Sequence, residues 1–347
     1  MSDVSIRIEG RAGRITLTRT KALNALTHQM CLDIESALDA WVRDPAVALV
    51  VIDAEGDKAF CAGGDVAQVV TAGRAGDMAL GRDFWRDEYR MNLKLSDYPK
   101  PIVSFMQGFV MGGGVGLGCH VAHRIVGETT RMAMPECGIG LIPDVGGTHL
   151  LARAPGQLGL YLGLTGARMD AGDAIWAGFA DGFIPQADWP GVKARLVETG
   201  DLRALPVHPL PASTLAAKGP LIDRLFAAGD GKGVARGDLG AILATLAASD
   251  SPLAAEALTA MRRSSPLSLA STLAMLRPAP ADLRTALVQE FRWTWRSMSE
   301  GDFIEGVRAL LIDKDKSPRW RHASAEDVTE EQVAAMLAPL EQDWTGL

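Results

Sequence analysis

The segment from Pro101 to Ala122 carries no charged side chain. A run of that length either spans a bilayer or is buried inside a folded domain. It contains GxxxG at Gly108/Gly112 and at Gly114/Gly118, a spacing used by paired membrane helices. Its other residues argue against a span. Pro101, Ser104, Gln107 and His120 interrupt it, and its glycines cluster in the middle, where each costs about 1 kcal/mol of helix stability. Strand, glycine turn and buried helix is the reading that uses every residue. The segment then belongs to the interior of a water-soluble protein with no membrane association.

The flanking sequence supports a strand-and-helix core. ITLTR (Ile15 to Arg19) alternates apolar and polar residues, as a strand does. Thr27 is placed to cap a helix whose apolar stripe is Met30, Ile34, Ala37/Leu38 and Trp41, ended by Asp44-Pro45. Leu49 to Ala54 is a continuous apolar run, expected of a strand covered on both faces. A helix is expected near Gly81 to Ser96, followed by the strand in PIVSFMQG. This alternation is the signature of an α/β fold.

After about Asp181 the character changes. LPVHPLPAS (Leu205 to Ser213) reads as a linker or a stiff crossing. Helices are expected over Thr214 to Ala228, Val234 to Ala248, Pro252 to Arg263, Pro266 to Leu276 and Ala281 to Met298. Pro252 and Pro266 each follow a serine, the order of an N-cap and a first helical residue, and Gly301 suits a helix stop. At about 150 residues per domain the length allows roughly two domains. The expected organisation is an α/β region over 1–204, carrying the site, and a helical region over 205–347.

Composition narrows the function. The formal net charge of −7 opposes general binding to nucleic acid. Four cysteines without a CxxC pair make neither a disulfide framework nor a zinc site. Each is expected as a small buried core residue. The six histidines are scattered, so no metal is expected. The opening MSDVSIRIEG has neither an apolar signal core nor the basic, acid-poor character of a transit peptide. A cytoplasmic location is the expectation.

Gly112 to Gly118 gives no GxGxxG register and no following GK[ST], and GxSxG and HExxH are absent. Dinucleotide, Walker, serine-elbow and zincin readings fall away. Three glycine-rich loops remain: CAGGD (Cys61 to Asp65), MGGGVG (Met111 to Gly116) and PDVGG (Pro143 to Gly147). Any one of them alone is an ordinary tight turn. Two facing each other present bare backbone N–H groups, the makings of an oxyanion hole.

KALNAL (Lys21 to Leu26), KAFCAGGDV, QGFVMGGGVGLG and MPECGIGLIPDVGGTHLLAR occur in this order. Together they resemble the crotonase (enoyl-CoA hydratase/isomerase) superfamily, from about Ser5 to Trp320. The later GDFIEGVRALLIDKDKSPRW resembles the 3-hydroxyisobutyryl-CoA hydrolase branch. The resemblance implies a crotonase-like (ClpP/crotonase) spiral of ββα units with a helical C-terminal region. It implies an acyl-CoA substrate, with coenzyme A as part of the substrate and no separate cofactor. Superfamily members often form homo-oligomers, trimers or dimers of trimers, but the hydrolase branch need not. Its oxyanion hole falls on the backbone N–H groups of Gly64 and Gly113. Its adenine pocket falls on Lys21, Ala22 and Ala25 with the backbone of Ala62, Asp65 and Val66. Glu136 matches the second glutamate of hydratases, Asp144 and Glu88 match the hydrolase branch, and Cys137 replaces its usual threonine.

Gly116 occupies the position where hydratases carry their first glutamate. Adding water across a C=C bond needs an acid and a base on the reacting carbons, and this replacement breaks that pair. Thioester hydrolysis needs a polarised carbonyl and one carboxylate that activates water or attacks. The resemblance therefore implies hydrolysis of a short β-hydroxyacyl-CoA thioester, with 3-hydroxyisobutyryl-CoA and valine catabolism foremost. The alternatives are an enoyl-CoA hydratase/isomerase and a non-catalytic acyl-CoA- or RNA-binding homologue.

Each candidate also has a plain structural reading. Asp144 could simply cap a helix over Gly147 to Ala154. Glu88 could pair with Arg82 or another neighbour in its helix. Lys314 could be a solvated charge rather than a phosphate contact, and Trp293 and Trp295 packing residues. Glu136, in the apolar stretch MAMPECGIG, is the hardest to explain structurally, because a buried carboxylate there is costly unless partnered.

Overall fold

In a computed structural model, residues 3–227 and 235–346 are described, the side chains of 235–237 excepted. Among the described residues nine strands occur in chain order: β1 (Val4–Glu9), β2 (Ala12–Leu17), β3 (Leu49–Ala54), β4 (Ala59–Cys61), β5 (Ile102–Met106), β6 (Phe109–Met111), β7 (His123–Val126), β8 (Arg131–Ala133) and β9 (Gly182–Phe183). They build a six-stranded sheet, ordered β1-β2-β3-β5-β7-β9, and a three-stranded sheet, ordered β4-β6-β8. Only β1–β2 is antiparallel, and every other pairing in both sheets is parallel.

The two orders show a spiral. Each turn of the chain adds one strand to the large sheet and the next to the small sheet: β3 then β4, β5 then β6, β7 then β8. Parallel neighbours require a crossover, and helices supply most of these. The helix Ala79–Ser96 lies between β4 and β5, and the helix Gly113–Cys119 between β6 and β7. The charge-free segment forms β5, β6 and that second helix, every residue of which is buried. This is the expected strand, turn and helix, with the short strand β6 added.

Burial on both faces explains the apolar runs of the central strands. Leu49, Val51, Val103 and Phe105 point to one face and pack with Trp189, Val192 and Leu196 of the helix Trp189–Thr199. Phe105 and Trp189 meet edge-on with centroids 5.3 Å apart. Each such fully buried side chain contributes about 1.5–3 kcal/mol.

The chain forms two compact units that interleave along the sequence. The first comprises Met1–Gly64, Asp87–Ala133 and Arg168–Ala216 and holds both sheets. The second comprises Asp65–Arg86, Met134–Ala167 and Ala217–Leu347 and is helical.

Local readings are met closely. Thr27 caps the helix His28–Trp41, its hydroxyl accepting from the Met30 N–H at 3.2 Å. The helices Pro252–Arg263 and Pro266–Leu276 begin and end where expected, although of the two serines only Ser265 caps with its side chain. The expected helices over 214–228, 234–248 and 281–298 are Thr214–Phe226, Ala235–Ala247 and Leu283–Ser297. Their expected ends at Ala228 and Val234 lie outside the described residues. Two readings are corrected. Arg19 is not in a strand: β2 stops at Leu17, and Arg19 starts the turn Thr20–Ala22. Gly301 is not a helix cap, because the preceding helix ends at Ser297 with Met298 as its cap.

Candidate active site

In the first unit, the turn after β2 meets the end of β4. Leu23 and Asn24 both adopt left-handed backbone angles, φ 52° and 55°. Asn24 tolerates this conformation better than most residues. Its amide donates to the carbonyls of Glu55 and Ala59, both at 3.0 Å. The Leu26 N–H donates to Gly63 O at 2.9 Å, and the Ala62 N–H to Leu23 O at 3.1 Å. Lys21, Ala22 and Ala25 are thereby tied to the strand end that carries Ala62. Asp65 and Val66 fall in the second unit, where Val66 opens the helix Val66–Arg74.

Gly113 begins its helix directly after Gly112. A methyl group added at Gly113 would lie 2.6 Å from Glu88 Oε1, 3.3 Å from the Gly64 backbone nitrogen and 3.3 Å from Leu26 Cδ1. Only glycine leaves this space open, and a carboxylate and a backbone nitrogen border it. The fold therefore brings together three of the expected residues, Gly64, Gly113 and Glu88. Glu88 is 3% exposed. Two of its arginine neighbours are engaged elsewhere. Arg82 stacks over Trp295, 4.2 Å from the ring centroid, and donates to the Trp295 carbonyl. Arg90 binds Glu35 and Asp87.

The second unit holds the other acids. Glu136 opens the short turn Glu136–Ile139 and is 5% exposed. Its Oε2 has no hydrogen-bond partner among the described residues. Burial, then the charge of Asp144, then that of Glu290 push its carboxyl well above the ordinary carboxylate range, although its own backbone N–H works the other way. The GDFIEGVR stretch braces this turn. A methyl group on Gly306 would strike the Ile139 carbonyl oxygen at 2.2 Å, so glycine permits the close approach. Ser265 donates its backbone N–H to the Cys137 carbonyl at 3.0 Å and its hydroxyl to Asp302 at 2.6 Å. Cys137 is packed at 3.3 Å from the Thr272 hydroxyl. Burial pushes its thiol up to about 12.

Asp144 is buried just before the helix Gly147–Ala152. The simple capping reading is corrected here. The N-cap is Gly146, which has no side chain to offer. The side chain that accepts from this helix start belongs to Glu290, in the helix Leu283–Ser297. Its Oε2 accepts from the Gly146 N–H at 2.7 Å. Its Oε1 accepts from the Thr148 N–H at 3.0 Å and from the Thr148 hydroxyl. Burial and Asp144 raise the Glu290 carboxyl to about 8, against these hydrogen bonds. Sequence reasoning missed Glu290. The signal was a carboxylate on the apolar stripe Leu283, Ala286/Leu287, Glu290, Thr294, at helical spacing.

All four cysteines are buried and unbridged. Trp293 is fully buried, and Lys314 is exposed. Among the described residues no group of His, Cys, Asp and Glu could hold a metal ion, and no helix is long and apolar enough to cross a membrane.

The geometry defines an α/β fold of two mostly parallel sheets with a helical second unit, and comparison with known proteins identifies its family. The model of the enoyl-CoA hydratase/isomerase family matches residues 12–337, and the chain belongs to that family, the crotonase superfamily. It is similar to the mitochondrial 3-hydroxyisobutyryl-CoA hydrolase of Gallus gallus, 38% identical over 98% of this chain and 89% of that one. It is also similar to 3-hydroxyisobutyryl-CoA hydrolase 1 of Arabidopsis thaliana, 34% identical over 99% and 93%. A crystal structure described as an enoyl-CoA hydratase from Rhodobacter sphaeroides 2.4.1 superposes with a TM-score of 0.93 and 60% identity, covering 98% of each chain. One described as a carnitinyl-CoA dehydratase from Mycobacterium thermoresistibile gives a TM-score of 0.93 at 42% identity, covering 100% and 99%.

Proposed function

We propose that this chain hydrolyses a short β-hydroxyacyl-CoA thioester, 3-hydroxyisobutyryl-CoA foremost, to the free acid and coenzyme A. The observation that carries this reading is the set of carboxylates. A buried glycine, Gly116, stands where hydratases of the family carry their first glutamate, while Glu136 and Asp144 are retained and buried. The hydrolase relatives, similar over nearly their whole length, support it.

In this reading the thioester carbonyl accepts hydrogen bonds from the Gly64 and Gly113 N–H groups. One such donor is typically worth about 2.7–4 kcal/mol in the transition state. Glu136 takes a proton from water as it adds to the carbonyl, or attacks the carbonyl itself. The C–S bond breaks, and the departing thiolate receives the proton taken from water; in the attack route the thiolate leaves as the Glu136 anhydride forms, and water then cleaves that anhydride to the free acid and the Glu136 carboxylate, its proton going to the thiolate. Asp144 and Glu88 hold the 3-hydroxyl or the water. Lys21, Ala22 and Ala25, with Ala62, Asp65 and Val66, take the adenine end of coenzyme A. The step would serve valine catabolism, and the reduced thiols fit a cytoplasmic setting.

Purified protein is given 3-hydroxyisobutyryl-CoA and, separately, crotonyl-CoA, with free thiol and double-bond absorbance followed in each. Thiol release from the first substrate is expected. Hydration of crotonyl-CoA without thiol release would refute the hydrolase reading. It would favour hydratase or isomerase chemistry, for which the 60% identity to a structure described as a hydratase and the carboxylate of Glu88 beside Gly113 speak.

A further inference from the structure

We propose that Glu290 is a positioning residue for the Glu136–Asp144 acid pair. It holds the loop that presents Asp144, and its carboxyl is electrostatically coupled to both acids. The proposal rests on the thioester-hydrolase reading for its catalytic meaning, but its geometry stands on its own.

The loop before the helix Gly147–Ala152 has an unfavourable backbone. Val145 and Gly146 are consecutive left-handed residues, φ 54° and 78°. For a β-branched valine this conformation persists only where the surroundings impose it. A helix start also leaves backbone N–H groups without partners, and Gly146 cannot cap them. Glu290 supplies the missing acceptor, taking the N–H groups of Gly146 and Thr148 and the Thr148 hydroxyl. It is fully buried. An apolar residue would fill the same space, so mere packing does not explain a carboxylate there. Replacement by an apolar residue would leave two buried N–H groups without acceptors.

Among the described residues, several ionisable groups of this cluster act on one another. Asp144 and Glu290 act on Glu136, and Asp144 acts on Glu290. Cys137 lies beside Glu136, its thiol pushed up by burial and by that glutamate, against the Thr272 hydrogen bond. His149, next to Thr148, is held below its ordinary value by burial and Arg153, with Asp282 opposing. Three buried carboxylates that influence one another titrate as a group, so a change in one is read in the others.

The test uses the full chain, Glu290→Gln, and the milder Thr148→Val. Glutamate carboxyl carbons are labelled with carbon-13. The Glu136 resonance, assigned by its loss in Glu136→Gln, is titrated by NMR, which needs no substrate. Amide exchange at Gly146 and Thr148 is followed in parallel. In Glu290→Gln the Glu136 titration is expected to move down by about half a pH unit or more. Exchange at the two amides is expected to accelerate at least about tenfold. On the thioester, kcat is expected to fall about tenfold with KM within about twofold. A glutamate that only packed the core, without coupling to the acid pair, would leave the Glu136 titration unmoved. An unmoved titration, or unchanged exchange, overturns the proposal. Should Glu290→Gln fail to fold, Thr148→Val decides: it removes a hydroxyl that favours the Glu290 anion, and the Glu136 titration must move the same way by less. Wild-type protein that leaves the thioester intact overturns the hydrolase reading instead, while the titration and exchange still decide the role of Glu290.

Discussion

Asp53 in the first unit and Glu136 in the second are buried almost equally, 4% and 5% exposed. Their surroundings are opposite. Asp53 receives Arg14 at 2.7 Å, Lys193 at 2.8 Å and the Thr16 hydroxyl at 2.7 Å. Burial works against its ionisation, but Lys193, Arg14 and these hydrogen bonds outweigh burial and hold it below its ordinary value. Glu136 has two acids as its electrostatic neighbours and an oxygen with no hydrogen-bond partner among the described residues, and it is driven upward. A buried charge that is fully answered is there to hold strands and a helix together. A buried carboxylate left unanswered, at a cost to folding, points to chemistry.

Substitutions should separate the two roles. The largest effect is expected from Asp53→Ala, which leaves Arg14 and Lys193 without their shared partner. Loss of a buried ion pair's member typically costs about 3–5 kcal/mol. Denaturant unfolding should show that loss, with little change in turnover of the folded fraction. A stability change under 1 kcal/mol would show that the two acids do not differ as described. Next, Glu136→Gln should lower turnover at least about a hundredfold, equivalent to about 2.7 kcal/mol, with no loss of unfolding stability. Near-normal turnover would remove Glu136 from the mechanism.

The third effect concerns pH, and its sign differs between the two units. Between the ordinary value of Glu290, 4.5, and its folded value of about 8, the folded chain keeps a proton that the unfolded chain has lost. This group therefore makes stability fall as pH rises through that window, by at most about 1.4 kcal/mol per unit. The stability contributed by Asp53 is present above its ordinary value of 3.8 and is lost as pH falls through its lower folded value. Unfolding at pH 5, 6.5 and 8 should show a flatter decline in Glu290→Gln than in wild type. Parallel slopes would refute the assignment of that decline to Glu290.

Much of the first unit was legible because its signals are local. Leu49 to Ala54 was readable as a strand from its apolar run, and the Thr27 cap from its place before a spaced stripe. The strand β6 was not, since three residues between glycine turns give no period to read. Gly64, Gly113 and Glu88 were reachable only through a resemblance. Nothing in their local spacing says that a glutamate one helix away borders the space beside Gly113. The capping of the Asp144 loop was misread for the same reason. A local rule assigns the cap to the nearest aspartate, whereas the chain draws its acceptor from Glu290, 144 positions beyond Gly146.

That separation has a consequence for the order of events during synthesis. The Asp144 loop leaves the ribosome long before the helix that holds it, at roughly 5–20 residues per second. Both sheets can assemble in the interval, because their last strand ends at Phe183. The acid loop cannot take its final form until Glu290 arrives, so competence for chemistry is among the last properties the nascent chain acquires.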